Sequence, residues 1–313
     1  MPSKHPSRRD AFAKVSIIGA GSVGTAIARV LFEKGYPIIS VISRTERSAL
    51  ALAKTVKCKR ASTVVDDIAI ESEIILIATP DGVISEIATQ LAKNKKVGFK
   101  KLFVAHTSGV HSAEALSPLR KKGALVASLH PIQTFPQRKT RVKLHGVYFG
   151  IERSSQAVAR AGQIVGDLDG KSVVIPPSLK PLYHVTCVFA SGYLVVVLNA
   201  IQELAGKLKL KAAWTEVFGP LMTGAMENAI LTSAGDALTG PVMRRDLATI
   251  SLHLQSLTKT APQFIPLYLV AGIDAARIAR ERGKFSEEEF QTLVHHFRKF
   301  LSSVPSLKKK RRD

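Results

Sequence analysis

The sequence predicts an α/β protein in which a doubly wound parallel sheet is followed by an all-α second domain. Three observations support this prediction. Short, nearly continuous apolar runs alternate with helical patterns up to about residue 177, which is typical of a parallel sheet covered by helices on both faces. The first apolar run ends in a glycine-rich turn that leads directly into a helix. From Leu179 onward the pattern is almost entirely helical, so the sheet belongs to the first part of the chain.

The glycine-rich turn has the spacing G-x-G-x-x-G and follows a β-branched strand, which is the context of a dinucleotide-binding turn. The first glycine allows a tight turn, the second lets the backbone approach a pyrophosphate, and the third lets the new helix pack against the strand. The N–H groups at the start of that helix then face the phosphates. A glycine-rich turn in another kind of α/β protein is the alternative. The residues predicted to bind the cofactor here are Gly19, Gly21, Ser22, Val23 and Gly24.

The end of the second predicted strand, 37–42, indicates which dinucleotide binds. An NAD-binding domain usually places Asp or Glu near this point to bind the ribose hydroxyls. Here Arg44 stands between Ser43 and Thr45, and an arginine beside hydroxyl groups suits a 2′-phosphate. We therefore predict NADP as the cofactor. An ordinary surface arginine that opens the next helix is the alternative.

Polar residues follow strand after strand along the predicted sheet. Predicted strands 72–78, 101–105 and 124–129 end in Thr79-Pro80-Asp81, His106-Thr107-Ser108-Gly109 and His130-Pro131. Ligands of open α/β sheets bind beyond the carboxyl ends of the strands, so we expect these residues to line the site. Proline, aspartate, serine and glycine are also common in turns, so any one of these residues could be present only to form a turn. The predicted cofactor contacts are Thr79, Pro80, His106 and Ser108. Two further strands, 146–151 and 172–175, should extend the sheet.

The pair Pro176-Pro177 separates the two patterns and predicts the domain boundary. The predicted organisation is a disordered basic leader at 1–12, a cofactor domain at 13–177, a helical substrate and dimerisation domain at 178–304, and a basic tail at 305–313. Helices are predicted over 211–233, 241–257, 262–282 and 286–301, the last with a capping box at Ser286. The segment 235–246 is a candidate substrate-facing loop or a plain helix connection.

The stretch from Val185 to Ile201 carries no charge. It is somewhat short for a membrane span of about 20 residues, and we predict a buried helix instead. The stretch has more apolar surface than a small helical domain needs. We therefore expect a homodimer built mainly through the helical half, and no membrane association.

The bulk composition excludes several classes of protein. Hydrophobic residues make up 46% of the 313 residues, which excludes wholesale disorder. Cys58 and Cys187 form neither a disulfide framework nor a metal cluster, which indicates a cytoplasmic protein without a metal site. Part of the formal net charge of +21 lies at the two ends, and no nucleic-acid motif accompanies it. We interpret the ends as solvated tails, so nucleic acid is not an expected partner. No clean cleavage site follows the basic start, so a signal peptide is not predicted either.

The order of these motifs resembles one family. The chain shares with it the glycine turn, Ser43-Arg44-Thr45, the polar strand ends, Tyr183-His184, Ala190-Ser191-Gly192-Tyr193 and Leu238-Thr239-Gly240-Pro241. From about Lys14 to Leu301 it is similar to Rossmann-like NADP oxidoreductases whose helical C-terminal half is a domain of unknown function. That family is similar to 6-phosphogluconate dehydrogenase, 3-hydroxyisobutyrate dehydrogenase and pyrroline-5-carboxylate reductase. The resemblance implies a helical domain of the 6-phosphogluconate dehydrogenase type that forms dimers. The family is also likened to deazaflavin-dependent NADP oxidoreductases.

Two positions depart from the family pattern. Gly192 stands where an asparagine commonly follows Ser191, and Arg245 follows Arg244 where the family usually has a glycine. The first change removes an amide that could bind a substrate. The second places a bulky side chain where a glycine often lets the backbone turn.

The predicted activity is hydride transfer between the nicotinamide of NADP and a small carbonyl, imine or hydroxy-acid substrate bound between the two domains. The candidate catalytic residues are His130, Lys180 and His184. A histidine has a suitable pKa for acid–base work, and desolvation can lower the pKa of a lysine into a useful range. The role of Lys180 is implied by the resemblance, which matches it to an interdomain-helix lysine of hydroxyacid dehydrogenases. The alternative is an NADP-binding sensor or assembly protein without turnover.

Overall fold

The computed structural model describes residues 12–136, 142–152 and 155–303. Contacts between Cα atoms divide the chain into two compact units, Met1–Tyr193 and Leu194–Asp313. This division falls later than Pro177, because the first turns of the helical half pack with the sheet. The leader, the tail and the domain boundary remain predictions.

The first unit is built on a mixed sheet whose strand order is β3-β2-β1-β4-β5-β6-β7-β8. The strands are β1 (Val15–Ile18), β2 (Ile38–Ile42), β3 (Ala61–Ser62), β4 (Ile74–Ile77), β5 (Phe103–His106), β6 (Leu125–Pro131), β7 (Tyr148–Glu152) and β8 (Lys171–Ile175). Strands β1 to β6 are parallel, and their order reverses on the two sides of β1. The predicted doubly wound fold is confirmed. The short edge strand β3 was not predicted.

Strand β7 runs antiparallel to β6, whereas the sequence pattern predicts a parallel sheet throughout. A parallel neighbour needs a long crossover, usually a helix. In the described part of the β6–β7 connection, 132–136 and 142–147, no helix occurs. The reversal places His130 of β6 directly opposite Gly150 of β7, with Leu129 opposite Ile151. Strand β8 is parallel to β7.

Helices cover both faces of the sheet. They are α1 (Ser22–Glu33), α2 (Glu46–Thr55), α3 (Ile84–Lys93), α4 (Ser117–Arg120), α5 (Ser155–Asp167) and α6 (Lys180–Val188). Ile17 belongs to the core shared with α1, α2 and α5, and Ile18 to the core shared with α3 and α4. Successive strand side chains point to opposite faces, so continuous apolar strands fill both cores. Gly35, at φ +102°, ends the chain's first helix as predicted.

The second unit is helical. Its helices are α7 (Leu194–Lys207), α8 (Trp214–Leu231), α9 (Leu247–Thr260), α10 (Ile265–Glu281) and α11 (Glu287–Ser303). The predicted capping box is confirmed, because the Ser286 hydroxyl accepts from the Glu289 N–H at 3.1 Å and the Glu289 carboxylate accepts from the Ser286 N–H at 2.8 Å. Helix α9 begins six residues later than predicted, since Arg245 adopts a left-handed conformation at φ +56° and Asp246 caps the helix.

The apolar stretch that begins in α6 continues through a π-helical segment, Phe189–Tyr193, into α7. The prediction that it is buried is wrong for the single chain, because only 6% of its most apolar window is buried. Phe189, Val195 and Val196 each expose more than half of their surface. By length and composition the helix over 177–207 could cross a membrane, although one such helix is weak evidence.

Candidate active site

The glycine turn has the geometry that its spacing predicts. Gly19 lies at φ +107°, and a Cβ there would collide with the carbonyl oxygen of Ala78. A Cβ on Gly24 would collide with the carbonyl oxygen of Gly19, so the third glycine lets α1 begin against the turn itself. Gly21 has open space on the side where a Cβ would stand. No side chain caps α1, so its first N–H groups are left for a ligand or water.

A cavity of about 410 Å³ lies beside this turn. It is lined by the glycine turn, the residues after β2, the segment Ala78–Pro80 and one face of α3 with Glu86, Ile87 and Gln90, and Thr63, Val65 and Val83 complete the lining. The hydroxyl oxygen of Thr79 is buried and has no hydrogen-bond partner among the residues that the structure describes. A buried polar atom without a partner is unfavourable, so it marks a point where a ligand group or water is expected.

The three residues after β2 differ in what they offer to a ligand. Arg44 is exposed on the cavity lining, with no ion-pair partner within the described part of the chain. The Ser43 hydroxyl is buried and accepts from the Ala20 N–H at 3.4 Å, so it supports the glycine turn. Thr45 caps α2, and its hydroxyl bonds Ser48 at 2.8 Å. Of the predicted Ser-Arg-Thr group, Arg44 is therefore the side chain left available.

His106 and Ser108 shape the loop after β5. The His106 ring is fully buried. Its Nδ1 accepts from the Ser108 N–H at 3.2 Å and its Nε2 donates to the Ser112 carbonyl at 2.9 Å. The Ser108 hydroxyl in turn accepts from the N–H groups of Val110 and His111, at 3.2 and 3.0 Å. The polar atoms of both side chains are thus used within the loop, and cofactor contact by His106 and Ser108 stays a prediction.

His130 forms the centre of a second group of polar side chains. Its Nδ1 lies 2.6 Å from the Tyr183 hydroxyl, and its ring centroid lies 6.1 Å from that of His184, nearly perpendicular to it. Two glycines make room for this group. A Cβ on Gly109 would stand 2.6 Å from Cδ2 of His184 and 2.9 Å from Nε2 of His130. A Cβ on Gly150 would stand 2.6 Å from the Tyr183 hydroxyl.

The environment keeps both members of the His130–Tyr183 pair uncharged. Burial lowers the pKa of His130 to about 4, and the charges of Lys180 and His184 act in the same direction. Burial also raises the pKa of Tyr183 well above its ordinary value, and the neighbouring Cys187 thiol adds to the shift. At neutral pH the imidazole is therefore a hydrogen-bonding group and a base, and it holds no extra proton to give away.

Lys180 lies deeper than His130 and His184. Its side chain is 1% exposed, and its ammonium donates to the Ser108 carbonyl at 3.2 Å and to the Ser128 hydroxyl. The carboxylate of Glu152 lies 3.7 Å away. This setting differs from that of an amine open to a substrate. Burial lowers the pKa of Lys180, and Glu152 opposes that shift.

The structure thus brings His130 and His184 together and places Lys180 beneath them. The sequence analysis placed Gly109 among the residues that line the site but gave it no role of its own, and it assigned no role to Tyr183, Ser128, Gly150 or Glu152. Gly109 is the last residue of the polar run after β5, and that position was the one available signal. Nothing in the sequence shows that Glu152 and Gly150 face β6, because this depends on the reversal of β7.

In the second unit, the candidate substrate loop 235–246 is held by its own contacts. Asp236 pairs with Arg282, and the Arg245 guanidinium pairs with Glu289. The Asp246 carboxylate accepts from the Thr249 N–H at 3.0 Å. These contacts are those of a helix connection, which is one of the two interpretations that the sequence left open.

Comparison with known families follows this division of the chain. Residues 1–131 match the model of a Rossmann-like domain, and residues 147–274 match DUF2520, a domain of unknown function. The chain joins a Rossmann-like domain to a DUF2520 domain. This confirms the family resemblance of the sequence. Tyr183, His184 and Lys180 belong to the DUF2520 segment, whereas Gly109 and His130 belong to the Rossmann-like segment. A search of curated proteins finds no match.

Solved structures share the fold of the Rossmann-like and DUF2520 domains over most of their length. A provisionally named NADP oxidoreductase from Bacteroides fragilis is 24% identical, with a TM-score of 0.71 over 84% of this chain and 98% of its own. A Thermotoga maritima protein is 24% identical, with a TM-score of 0.61 over 86% and 99%. An imine reductase from Myxococcus stipitatus in complex with NADP+ is 16% identical, with a TM-score of 0.56 over 92% and 94%. At these identities the likeness establishes the common fold.

Proposed function

We propose that the chain is an NADP-dependent oxidoreductase that transfers a hydride between the nicotinamide and a small carbonyl, imine or hydroxy-acid substrate. One observation carries the proposal. The neutral His130–Tyr183 pair stands at the same carboxyl edge of the sheet as the glycine-turn cavity. Asp81, which follows the cavity residue Pro80 in the chain, is one of the charged groups that act on His130.

The cavity fits a dinucleotide. The uncapped start of α1 and the open side of Gly21 suit a pyrophosphate. The buried Thr79 hydroxyl, which has no hydrogen-bond partner among the described residues, could form a hydrogen bond with a polar group of the same ligand. Arg44 suits a 2′-phosphate, because a guanidinium binds phosphate oxygens bidentately. When bound, the cofactor supplies or accepts the hydride.

The protein's own part is then to position the substrate and to handle one proton. His130 has Nδ1 on Tyr183, and Nε2 has no hydrogen-bond partner among the described residues. In the direction of oxidation, the neutral imidazole carries its own proton on Nδ1, which donates to the Tyr183 oxygen, and Nε2 accepts the proton of the alcohol or amine group. In the direction of reduction the same site returns it. A pKa of about 4 favours the role of base over that of a resident acid.

His184 and Tyr183 support this chemistry from α6. The Tyr183 phenol fixes the orientation of the His130 ring, and the raised pKa of Tyr183 keeps its proton on the hydroxyl at neutral pH. His184 lies across Gly109 from His130 and borders the same space. We assign it to substrate contact.

The decisive experiment is NADPH consumption, followed by absorbance, by the purified chain with 2-oxo acids, cyclic imines and a deazaflavin. Hydroxy acids with NADP+ test the reverse direction. His130→Gln should lower turnover by about 10²–10⁴-fold, which is the usual loss for an acid–base group, while NADPH affinity stays within a few-fold. NADPH binding with no turnover on any of these compounds would favour the sensor or assembly role.

A further inference from the structure

Lys180 is a charged side chain that the proposed chemistry does not use. Its ammonium has three N–H groups, and three acceptors surround it: the Ser108 carbonyl, the Ser128 hydroxyl and the Glu152 carboxylate. The ammonium makes two hydrogen bonds and an ion pair with Glu152 at 3.7 Å, and its side chain is 1% exposed, so it is not open to a substrate. Isolated burial of an ammonium is strongly unfavourable, so this arrangement needs a structural or functional reason.

Glu152 connects Lys180 to the far end of the loop after β5, the loop that Lys180 contacts at Ser108. Both of its carboxylate oxygens accept from the N–H of Ala113, at 2.7 and 2.8 Å, and its side chain is 8% exposed. Ser108 and Ala113 bracket the loop after β5. The Lys180–Glu152 pair therefore ties both ends of that loop to β7 and α6. The Ser128 hydroxyl donates to the Ser108 carbonyl at 3.2 Å and adds β6 to the network.

The loop between these two anchor points carries Gly109. The space around Gly109 is too small for a Cβ beside the rings of His130 and His184. A shift of the loop by a fraction of a bond length would therefore press on, or release, both imidazoles. We infer that Lys180 is a positioning residue: with Glu152 it holds the 108–113 loop so that Gly109 sets the places of His130 and His184. The inference rests on the proposed function only in taking His130 as the reacting group.

The charge of Lys180 has a second effect on the site. It lowers the pKa of His130, in addition to the larger effect of burial. The other groups acting on His130 are His184 from α6, His106 from β5 and Asp81 from the segment after β4. Asp81 is the one of these that opposes the shift. Removal of the ammonium should therefore raise the pKa of His130.

The competing assignment makes Lys180 itself the proton donor, as the resemblance to hydroxyacid dehydrogenases implies. The two assignments differ in what a neutral side chain of similar length should do. If Lys180 positions the loop, its loss should move the loop and raise the pKa of His130. Part of the turnover should return when Glu152 is also neutralised, because no unpaired buried charge then remains. A donor role predicts that turnover depends on the amine alone.

The test uses the full chain with Lys180→Met, Lys180→Arg, Glu152→Gln and the double variant Lys180→Met/Glu152→Gln. The matched control is Lys93→Met, at an exposed lysine at the end of α3. The first readout is the His130 pKa, followed by NMR of the imidazole, which needs neither cofactor nor substrate. In Lys180→Met this pKa should rise from about 4 toward the ordinary value of about 6.5. It should stay low in Lys93→Met and Lys180→Arg.

The second readout is turnover and its pH profile. Lys180→Met should lose about 10²-fold in kcat, the scale expected of a small misplacement, and shift its acidic limb upward. The double variant leaves no unpaired buried charge, so it should be more stable and more active than either single variant. Unmoved NMR signals of the Gly109 N–H and the His130 ring in both Lys180→Met and Glu152→Gln would overturn the inference, and so would an unchanged His130 pKa in Lys180→Met. If no substrate turns over, the NMR signal of the Gly109 N–H in Lys180→Met and Glu152→Gln decides the positioning claim, because a moved loop shifts that signal, and the proposed function fails separately.

Discussion

Acidification should destabilise the first unit through His106, whose ring is fully buried and has both nitrogens in hydrogen bonds. Burial lowers its pKa to about 4 in the folded protein, against about 6.5 in an unfolded chain. The unfolded state therefore binds more protons between these values, and stability is lost as the pH falls through about 6.5 toward 4. From about pH 8 to about pH 5 the loss from this one group is about 2 kcal/mol.

Urea unfolding of the first unit, followed by a probe placed in the sheet, measures this loss. His106→Gln keeps a donor for the Ser112 carbonyl and removes the titration. Between about pH 8 and about pH 5, the free energy of unfolding of His106→Gln should therefore fall by about 2 kcal/mol less than that of the wild type. This difference does not depend on how stable the variant is at about pH 8. The matched control is His111→Gln on the same loop. That ring is exposed and solvated in both states, so the control should behave as the wild type does. Equal losses in the wild type and His106→Gln would refute the reasoning.

Three further predictions concern the cofactor, the exposed helix and the second unit. Arg44→Asp should weaken NADPH binding by about 10–100-fold relative to NADH, because it removes a charge-assisted contact and adds repulsion. Titration of both cofactors tests this, and equal wild-type affinities would contradict it. Light scattering should show a homodimer, since the exposed apolar surface of α6 and α7 favours association, and Val196→Lys should favour the monomer. Arg245→Gly should be more stable than Arg245→Ala by about 1 kcal/mol in thermal unfolding, because both lose the Glu289 pair but glycine relieves the positive φ.

The sequence predicted the fold well where local chemistry determines it. Continuous β-branched runs marked the central strands, the glycine spacing marked the start of α1, and Ser286 marked the start of α11. The reversal of β7 could not be predicted, because strand direction depends on the path of the β6–β7 connection and not on the composition of the strand. The exposure of α6 and α7 was also missed, since an apolar helix has the same pattern whether its own chain or a partner covers it.

The candidate site was predicted in its location and less well in its roles. The strand ends pointed to both His106 and His130. In the structure the His106 ring is fully buried and hydrogen-bonded within its loop, whereas His130 is the residue we propose as the base. Lys180 and His184 were expected on one face of a helix, four residues apart. The structure retains that spacing but buries only Lys180, because the loop after β5 covers the ammonium end of its side chain. Such differences depend on tertiary packing, which a single sequence does not record.

The first turn and a half of α6 carries Lys180, Tyr183 and His184 together. One inserted or deleted residue between Pro176 and this turn would rotate all three side chains by about 100° around the helix axis. The buried ammonium, the phenol on His130 and the second imidazole would then be lost at once. Because the three side chains share one turn and a half of helix, a change in the helix register moves all of them together. A change of substrate preference in this chain is therefore better sought at residues outside this turn.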